Sequence, residues 1–260
     1  MDDPIARSPA IVLDFEPAFT SSRRVTWFTR HYGRVVTLIR GSQRPKSFFL
    51  AQYDLFYTCD LLFYRRGVPG SRPARECAAL KRRDRFRRDW RACAVASCVS
   101  DLVCQVAPLE APEPRLYRLL EQTYDHLDRE GADTPVLYRF ELSLLRLTGH
   151  APRLTSCSAC GAALDLERPR IALSCRHGGA LCDRCAAAES GGIEHLDQAA
   201  FQWLLRLCRG RAAQVPDLPA DRRLARVVGR FLTYHLGVCP HSRIAALRIL
   251  DYGRSGYRCS

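Results

Sequence analysis

The sequence predicts an α+β protein, with an N-terminal OB-type β-barrel followed by an α-helical domain that carries a cysteine-rich insert. Three observations support this fold class. Short runs of β-branched and aromatic residues, separated by turn residues, fill roughly the first 66 positions. Helical periodicity takes over from about residue 81. Two Cys-x-x-Cys pairs then interrupt the helical pattern between residues 157 and 185.

The region 1–80 is expected to form the barrel. Its predicted strands are separated by turns at Gly33 and Gly41 and by a break at Pro45. About five or six strands in about 75 residues suit an OB-type barrel, whose open face binds oligonucleotides. An SH3-like barrel fits the same pattern. The predicted strands cover residues 9–15, 23–30, 34–40, 46–51 and 53–64.

Positive charge is concentrated in the N-terminal third of the chain. The net charge is +13, and residues 1–92 hold 19 Lys and Arg against 9 Asp and Glu. This excess favours a polyanionic partner, and nucleic acid is the polyanion that we expect. Tyr32, Phe48 and Phe49 lie among the cations, where they either stack on bases or fill the barrel core. The candidate DNA contacts here are Arg30, Arg34, Arg40, Arg44 and Lys46.

A second basic run follows the barrel. Residues 67–76 are rich in Gly, Pro and Arg and are expected to form a loop. Residues 81–91 then contain seven Lys and Arg against two Asp, and we expect them to enter a helix that continues to about Val106. The run is either a solvated helix face or a face that follows DNA phosphates. On the second interpretation, Arg82 and Arg83 are further candidate DNA contacts.

The helical domain is expected in two parts, at residues 81–153 and 193–250, with a C-terminal tail at 251–260. One helix should begin after Asp133, a favourable N-cap that precedes an early proline. That helix should end at Gly149. Later segments repeat apolar residues at helical spacing, which predicts further helices whose apolar faces pack together.

Residues 154–192 are expected to form a zinc ribbon. Two residues between thiolates allow one tight turn to direct both sulfurs at a single metal ion, and Gly161 permits the positive φ of such a turn. The alternative is two redox motifs, but neither pair lies in a βαβ pattern. Cys175 or His177 is an alternative ligand within the insert. The predicted ligands of one structural Zn²⁺ are Cys157, Cys160, Cys182 and Cys185.

The remaining cysteines indicate a reducing compartment. The chain has 13 cysteines, and its N-terminus lacks the basic and apolar segments of a secretory signal. We therefore expect a cytoplasmic protein. Motifs of metalloproteases, serine hydrolases, P-loop NTPases and zinc deaminases are absent from the sequence, which argues against an enzyme. The thiols expected to be buried among apolar residues are Cys93, Cys98, Cys104, Cys208 and Cys239.

Three blocks of the sequence resemble the bacterial recombination-mediator family RecO. They contain AIVL, GRV and GSQRPKS within residues 10–47, RFELSLL at residues 139–145, and the two Cys-x-x-Cys pairs. The resemblance implies a nucleoid-associated protein that binds single- and double-stranded DNA and anneals complementary strands. It also implies that the protein, with RecR, helps to load RecA onto DNA coated by single-strand binding protein. Carried over by position, Arg34, Arg44 and Lys46 are DNA contacts, and the four cysteines of the two pairs are metal ligands.

The resemblance further implies that the helical domain binds the acidic, apolar C-terminal tail of single-strand binding protein. Arg139, next to Phe140 on an apolar helix, either pairs with the terminal carboxylate of that tail or faces solvent beside an acid of its own chain. Two other functions fit the residues. One is a different zinc-ribbon nucleic-acid-binding factor, associated with transcription or the ribosome, although no helix-turn-helix stands out. The other is an interaction scaffold whose basic barrel binds an acidic protein.

Overall fold

The chain forms two compact units, Met1–Gly131 and Ala132–Ser260, which are described separately. Their boundary falls within residues 81–153, so the helices of that predicted part are divided between the barrel unit and the second unit. The computed structural model describes residues 4–67, 72–209, 222–238 and 240–252.

The first unit contains a closed barrel of five strands. The strands are β1 (Ile5–Ala18), β2 (Ser22–Thr29), β3 (Gly33–Ile39), β4 (Thr58–Tyr64) and β5 (Arg72–Lys81). Their order around the barrel is β1-β2-β3-β5-β4. Only β3 and β5 are parallel neighbours among these strands, and β1 closes the barrel by pairing with both β2 and β4. A closed barrel of this size is of the OB type, so the predicted fold class is confirmed.

The barrel core is formed by alternate residues of the strands. Trp27 is fully buried, and its indole N–H donates to Thr37 Oγ1 at 2.9 Å, so its one polar atom is paired inside the core. The long strand β1 shifts register between Val12 and Asp14. Such a bulge bends the strand, which helps it pair along both edges and close the barrel. The buried core includes Val12, Val25, Trp27, Val35, Ile39, Cys59, Leu61 and Phe63.

The strand predicted at residues 46–51 is wrong. The backbone there forms successive turns, in which Ser47 N–H donates to the Arg44 carbonyl at 3.0 Å and Leu50 N–H donates to the Ser47 carbonyl at 3.1 Å. Because these local bonds satisfy the backbone, the segment does not need a strand partner.

Two other boundaries differ from the sequence expectation. The strand predicted at 53–64 begins only at Thr58, and β5 begins at Arg72, inside the stretch 67–76 that was predicted as a loop. Strand β5 has neighbours on both sides, β3 and β4. Pairing with distant strands has therefore overridden the local preference of a Pro- and Arg-rich segment for a loop.

The helices of the first unit are α1 (Trp90–Val106) and α2 (Pro114–Glu130). A 3₁₀ turn over Asp84–Arg87 precedes α1. Asp89 caps α1, because its side chain accepts hydrogen bonds from the backbone N–H groups of Arg91 and Ala92 at 3.0 and 3.2 Å. The basic run 81–91 is thus the end of a strand, a turn and a helix cap rather than one helical face.

The described part of the second unit contains a three-stranded sheet and five helices. The elements are α3 (Thr134–Leu147), β6 (Arg170–Ser174), β7 (Gly179–Leu181), α4 (Asp183–Ala188), β8 (Ile193–Asp197), α5 (Gln198–Cys208), α6 (Arg222–Leu236) and α7 (His241–Tyr252). The antiparallel sheet has the order β7-β6-β8. Since β8 pairs with β6, the small sheet extends past residue 192, where the predicted insert ends.

A buried ion pair connects three helices of the second unit. Arg243 of α7 donates to both carboxylate oxygens of Glu141 in α3, at 2.7 and 3.1 Å, and to the Ala225 carbonyl in α6 at 3.1 Å. Both charged side chains are buried. A bidentate pair of this kind defines one packing arrangement, since its loss leaves a charge unpaired in the core. Helix α3 begins as predicted, with Asp133 accepting from Val136 N–H at 2.8 Å.

The prediction of buried thiols holds in full for one of the four predicted cysteines that the structure describes. Cys98 is buried, and Cys93, Cys104 and Cys208 are partly buried. Cys239 and residues 253–260 of the predicted tail lie outside the described residues. No helix in the described ranges combines the length and the apolar composition that a membrane crossing requires.

Candidate metal centre and nucleic-acid interface

The four predicted metal ligands lie together in the second unit. The Sγ atoms of Cys157, Cys160, Cys182 and Cys185 are all within 4.8 Å of one another, and those of Cys160 and Cys182 are 3.8 Å apart. Four sulfurs placed about 2.3 Å from a tetrahedral zinc ion are about 3.8 Å from each other. The cluster therefore has the dimensions of a four-cysteine metal site.

Local backbone structure places these sulfurs. Gly161 has a φ of 78°, and its N–H donates to the Cys157 carbonyl at 2.8 Å. Residues with a side chain rarely adopt this conformation, so a glycine here allows the turn to close. On the opposite side of the cluster, Cys182 is the N-cap of α4. Cys185 follows within the first helical turn, which brings the second pair of sulfurs onto one face.

The ionisation of the cluster suits a cation. Burial opposes ionisation of Cys157, but the backbone N–H groups of Cys182, Cys160 and Ala159 lower its pKa to about 6. Hydrogen bonds to Cys182 and Cys160 raise the pKa of Cys185 to about 12. A dication at the centre of the cluster would favour the thiolate form of its ligands.

The two alternative ligands lie outside the cluster. Cys175 is buried, and burial raises the pKa of its thiol to about 11. His177 Nε2 lies 2.6 Å from a carboxylate oxygen of Glu189, and this contact lowers the pKa of Glu189. His177 is therefore engaged in a contact within the insert, and among the described residues the group that could hold a metal ion here consists of the four cysteines.

In the barrel unit, the predicted DNA contacts form two groups rather than one. Arg30 and Arg34 lie at the turn between β2 and β3, whereas Arg40, Arg44 and Lys46 follow the other end of β3. The length of β3 separates the groups by about 20 Å, at about 3.3 Å per residue.

Arg30 and Arg34 differ in their surroundings. Arg30 is exposed. Arg34 is partly buried, and its Nε donates to the Ala107 carbonyl at 3.1 Å. Its backbone carbonyl also accepts from Glu110 N–H at 3.0 Å. Arg34 thus attaches the segment that follows α1 to the barrel, and only part of its side chain faces solvent.

The second group borders an open cleft of about 780 Å³, which we call the hairpin cleft. Two bonds bring its walls together: Gln43 N–H donates to the Ser21 carbonyl at 3.1 Å, and Gly41 N–H donates to Ser22 Oγ at 3.2 Å. The residues lining the cleft are Phe19, Thr20, Ser21, Ser22, Arg24, Leu38, Arg40, Gly41 and Arg44.

The cations of the hairpin cleft differ in whether they pair with an acidic residue. Arg24 pairs with Glu16 at 2.6 Å. Arg40 and Arg44 are exposed, and within the described ranges neither side chain makes a hydrogen bond or an ion pair. Lys46, just beyond the cleft, is also exposed. The cleft therefore offers two uncompensated guanidinium groups to an anion.

Sequence reasoning missed Phe19 and Arg24 as parts of this surface. Their signal is the strand register, because Arg24 lies opposite Leu38 in β3 and so next to the turn that carries Arg40. That register depends on the pairing of two strands, which residue types alone do not specify.

The structure contradicts the prediction that Arg83 contacts DNA. Its side chain is only 2% exposed. Its guanidinium donates to the Phe56 carbonyl at 2.6 Å, to Thr58 Oγ1 at 2.9 Å and to Asp125 at 2.9 Å. A buried guanidinium with these partners cannot reach a DNA phosphate, so Arg83 is a structural residue. Its neighbour Arg82 is exposed and remains a candidate contact.

Three of the six other cations of the 81–91 run, Lys81, Arg85 and Arg87, are also paired within the unit. Lys81 lies 2.7 Å from Asp125, and Arg87 lies 2.7 Å from Asp54. Arg85 donates to the Asp128 carbonyl at 2.6 Å. The paired cations of the run therefore attach the barrel to α2 and to the segment before β4, whereas Arg82 and Arg88 are exposed.

The aromatic residues that were considered for base stacking or for the barrel core divide into buried and exposed ones. Trp27 fills the core, Tyr32 packs against Phe63 with ring centroids 5.7 Å apart, and Phe49 is partly buried against the core. Phe48, in contrast, is 96% exposed.

Arg139 lies on α3 between two buried aromatic residues, Tyr138 and Phe140. It is partly buried and already interacts with another group of the protein. The structure thus places it at the edge of an apolar helix, as the sequence analysis expected, but with a contact inside its own chain.

Comparison with known proteins covers nearly the whole chain. The family described as "Recombination protein O N terminal" matches residues 1–69, and "Recombination protein O C terminal" matches residues 87–244. A DNA repair protein RecO from Anaeromyxobacter sp. (strain Fw109-5) is 32% identical over 89% of this chain and 90% of its own length. A protein of the same name from Halalkalibacterium halodurans is 32% identical over 72% of this chain and 70% of its own length. Another, from Myxococcus xanthus, is 30% identical over 88% of this chain and 91% of its own length. The chain therefore belongs to the RecO family of DNA repair proteins.

Proposed function

We propose that this protein is a recombination mediator that binds single- and double-stranded DNA and anneals complementary strands. With RecR, it helps to load RecA onto DNA coated by single-strand binding protein. Membership of the RecO family supports this proposal. The structural observation that carries it is the pair of uncompensated cations, Arg40 and Arg44, at the hairpin cleft of an OB-type barrel. The proposed place of action is the nucleoid in the cytoplasm.

DNA binding should rest on phosphate contacts. The proposed contacts are exposed arginines and one lysine at strand ends and turns, which suit a flexible backbone rather than a set of base edges. Binding should therefore show little sequence preference and fall steeply as salt rises, because each phosphate contact releases a counterion. The proposed contacts are Arg30, Arg40, Arg44, Lys46 and Arg82, with a partial contribution from Arg34.

The proposed metal is one structural Zn²⁺, held by Cys157, Cys160, Cys182 and Cys185. Four thiolates complete a tetrahedral shell and leave no position for a reacting water. Zinc would then hold the insert together rather than supply chemistry.

The decisive experiment measures DNA binding against salt. Fluorescence anisotropy with a labelled mixed-sequence oligonucleotide, repeated from low to high salt, should give a linear fall of log affinity with log salt. A scaffold for acidic proteins predicts no DNA binding in the same titration. Binding that is indifferent to salt would contradict the phosphate-contact mechanism.

Mediator activity is tested by strand annealing. Complementary oligonucleotides coated with single-strand binding protein from the same organism should anneal faster when this protein is added. A zinc-ribbon transcription or ribosome-associated factor would bind nucleic acid without this acceleration. Absence of annealing on coated strands, together with normal annealing on naked strands, would place the defect in partner recognition.

Recognition of single-strand binding protein is assigned to α3. Arg139 would pair with the terminal carboxylate of the acidic tail, beside the apolar residues of the same helix. Arg139→Glu should abolish binding of the tail peptide and spare DNA binding. The exposed Arg146, in the last turn of α3, offers a matched charge reversal that should leave peptide affinity unchanged.

A further inference from the structure

Phe19 occupies an unusual position in the turn between β1 and β2. The turn covers residues 19–21, and Ala18 pairs with Ser22 at its base. Phe19 has a φ of 57°, in the left-handed region that glycine and asparagine prefer. Its side chain is 86% exposed.

This position is unfavourable for a phenylalanine in two ways. The left-handed conformation strains a residue that carries a bulky side chain, and exposure leaves an apolar ring in contact with water. A glycine or an asparagine would form the same turn without either cost. Backbone strain of this kind clusters at functional sites, and the exposed ring makes no packing contribution that would account for it.

The surroundings of the ring suggest that reason. Phe19 lines the hairpin cleft together with Arg40 and Arg44. The side chain of Arg44 lies across Gly41, where a Cβ atom would come within 3.3 Å of Arg44 Cδ. The glycine therefore leaves room for the Arg44 side chain to lie along the cleft. A cleft of this volume falls within the range of about 300–1,000 Å³ of small-ligand sites.

We propose that Phe19 is a stacking platform for one unpaired base of single-stranded DNA, with Arg40 and Arg44 binding the adjacent phosphates. This inference rests on the proposed DNA-binding function and names the form of DNA that this cleft prefers. Within a duplex both faces of an internal base are covered by its neighbours, so an exposed ring stacks at the lowest cost on an unpaired base. Stacking tolerates any sequence, because every base has a π face.

The test compares two probes that differ only in their bases. One is a short labelled polythymidine oligonucleotide, and the other has the same sugar–phosphate backbone with abasic sites. The wild-type chain should bind the thymidine probe about tenfold more tightly. Phe19→Asn should remove this preference and leave affinity for the abasic probe unchanged, whereas Phe19→Tyr, which retains a ring, should preserve it.

A stability measurement separates a functional ring from a structural one. Because asparagine tolerates the left-handed conformation, Phe19→Asn should keep or raise the Tm of the full chain while it weakens binding of the thymidine probe. A lower Tm would show that the ring supports the fold and would overturn the proposal.

Two controls complete the experiment. Phe48 is also highly exposed but does not line the cleft, so Phe48→Ala should retain the preference, and an equal loss there would overturn the assignment to the hairpin cleft. Arg44→Gln should weaken both probes to the same extent and reduce the salt dependence. If the wild type binds neither probe, the proposed DNA-binding function itself fails. If it binds both equally with a steep salt dependence, only the stacking proposal fails.

Discussion

The hairpin cleft and the 81–91 run are both rich in arginine and both belong to the first unit, yet their charges serve different purposes. In the 81–91 run, acids or carbonyl groups of the same unit pair with Lys81, Arg83, Arg85 and Arg87. At the hairpin cleft, Arg40 and Arg44 have no such partners among the described residues. A count of positive residues therefore overestimates the surface open to DNA, because an arginine bound to its own protein offers little to a phosphate.

Metal removal should produce the largest structural effect. A chelator should remove the proposed zinc ion from the four cysteines and unfold the insert, since metal binding supplies much of the folding free energy of such small sites. Hydrogen exchange should show lost protection around residues 157–185. DNA affinity should largely survive, because the hairpin cleft lies in the first unit. A complete loss of DNA binding would break the assignment of DNA contacts to the barrel.

Substitution of Arg83 should destabilise the protein. Arg83→Met leaves Asp125 without its buried partner and the Phe56 carbonyl without its donor, which we expect to lower the free energy of unfolding by about 3 kcal/mol. The neighbouring Arg82 is exposed and serves as the control, since Arg82→Gln should change stability by less than about 0.5 kcal/mol. Urea unfolding of the two variants measures both values. Equal stabilities would remove the distinction between the two basic regions.

The double variant Arg40→Gln/Arg44→Gln should instead lose DNA affinity and keep its stability. Stability should change by less than about 0.5 kcal/mol, because both side chains are exposed and unpaired. DNA affinity should fall, and the slope of log affinity against log salt should decrease by about 2. Anisotropy titrations measure this slope. Arg118→Gln, which removes an exposed charge from α2, is the matched control and should leave the slope unchanged.

The smallest expected effect is a dependence of stability on acid pH. Burial opposes ionisation of Asp125, but Lys81 and Arg83 outweigh it and hold the pKa of this carboxyl below its usual range. A carboxyl with a lowered folded-state pKa stabilises the protein above the unfolded-state pKa of about 3.9, and this contribution is lost as pH falls further. Urea unfolding between neutral and acid pH should show a smaller decline in Asp125→Asn than in the wild type. Identical declines would show that the pair contributes nothing measurable.

Features that depend on residues close in sequence were predicted correctly, whereas features that depend on residues distant in sequence were not. The four-cysteine cluster was predictable because two residues between thiolates fix a local turn that needs only one ion to complete it. The cap at Asp133 was equally local. The prediction of a strand at 46–51 was wrong, because the apolar residues Phe48 and Leu50 suggested a strand but lie exposed in turns. The prediction of Arg83 as a DNA contact failed for a related reason, since its hydrogen-bond partners Phe56 and Asp125 are distant in sequence.

The sequence by itself determined the order of barrel, helices and cysteine insert, the four cysteines that cluster and the location of the charge excess. Each of these depends on residue type, short spacing or a sum over a segment. Only the tertiary structure decided which arginines are available, because availability depends on whether a carboxylate or a carbonyl from elsewhere in the chain lies within hydrogen-bonding distance. It also decided that Phe19 lies beside Arg40 and Arg44, since the pairing of β2 with β3 brings the two turns together.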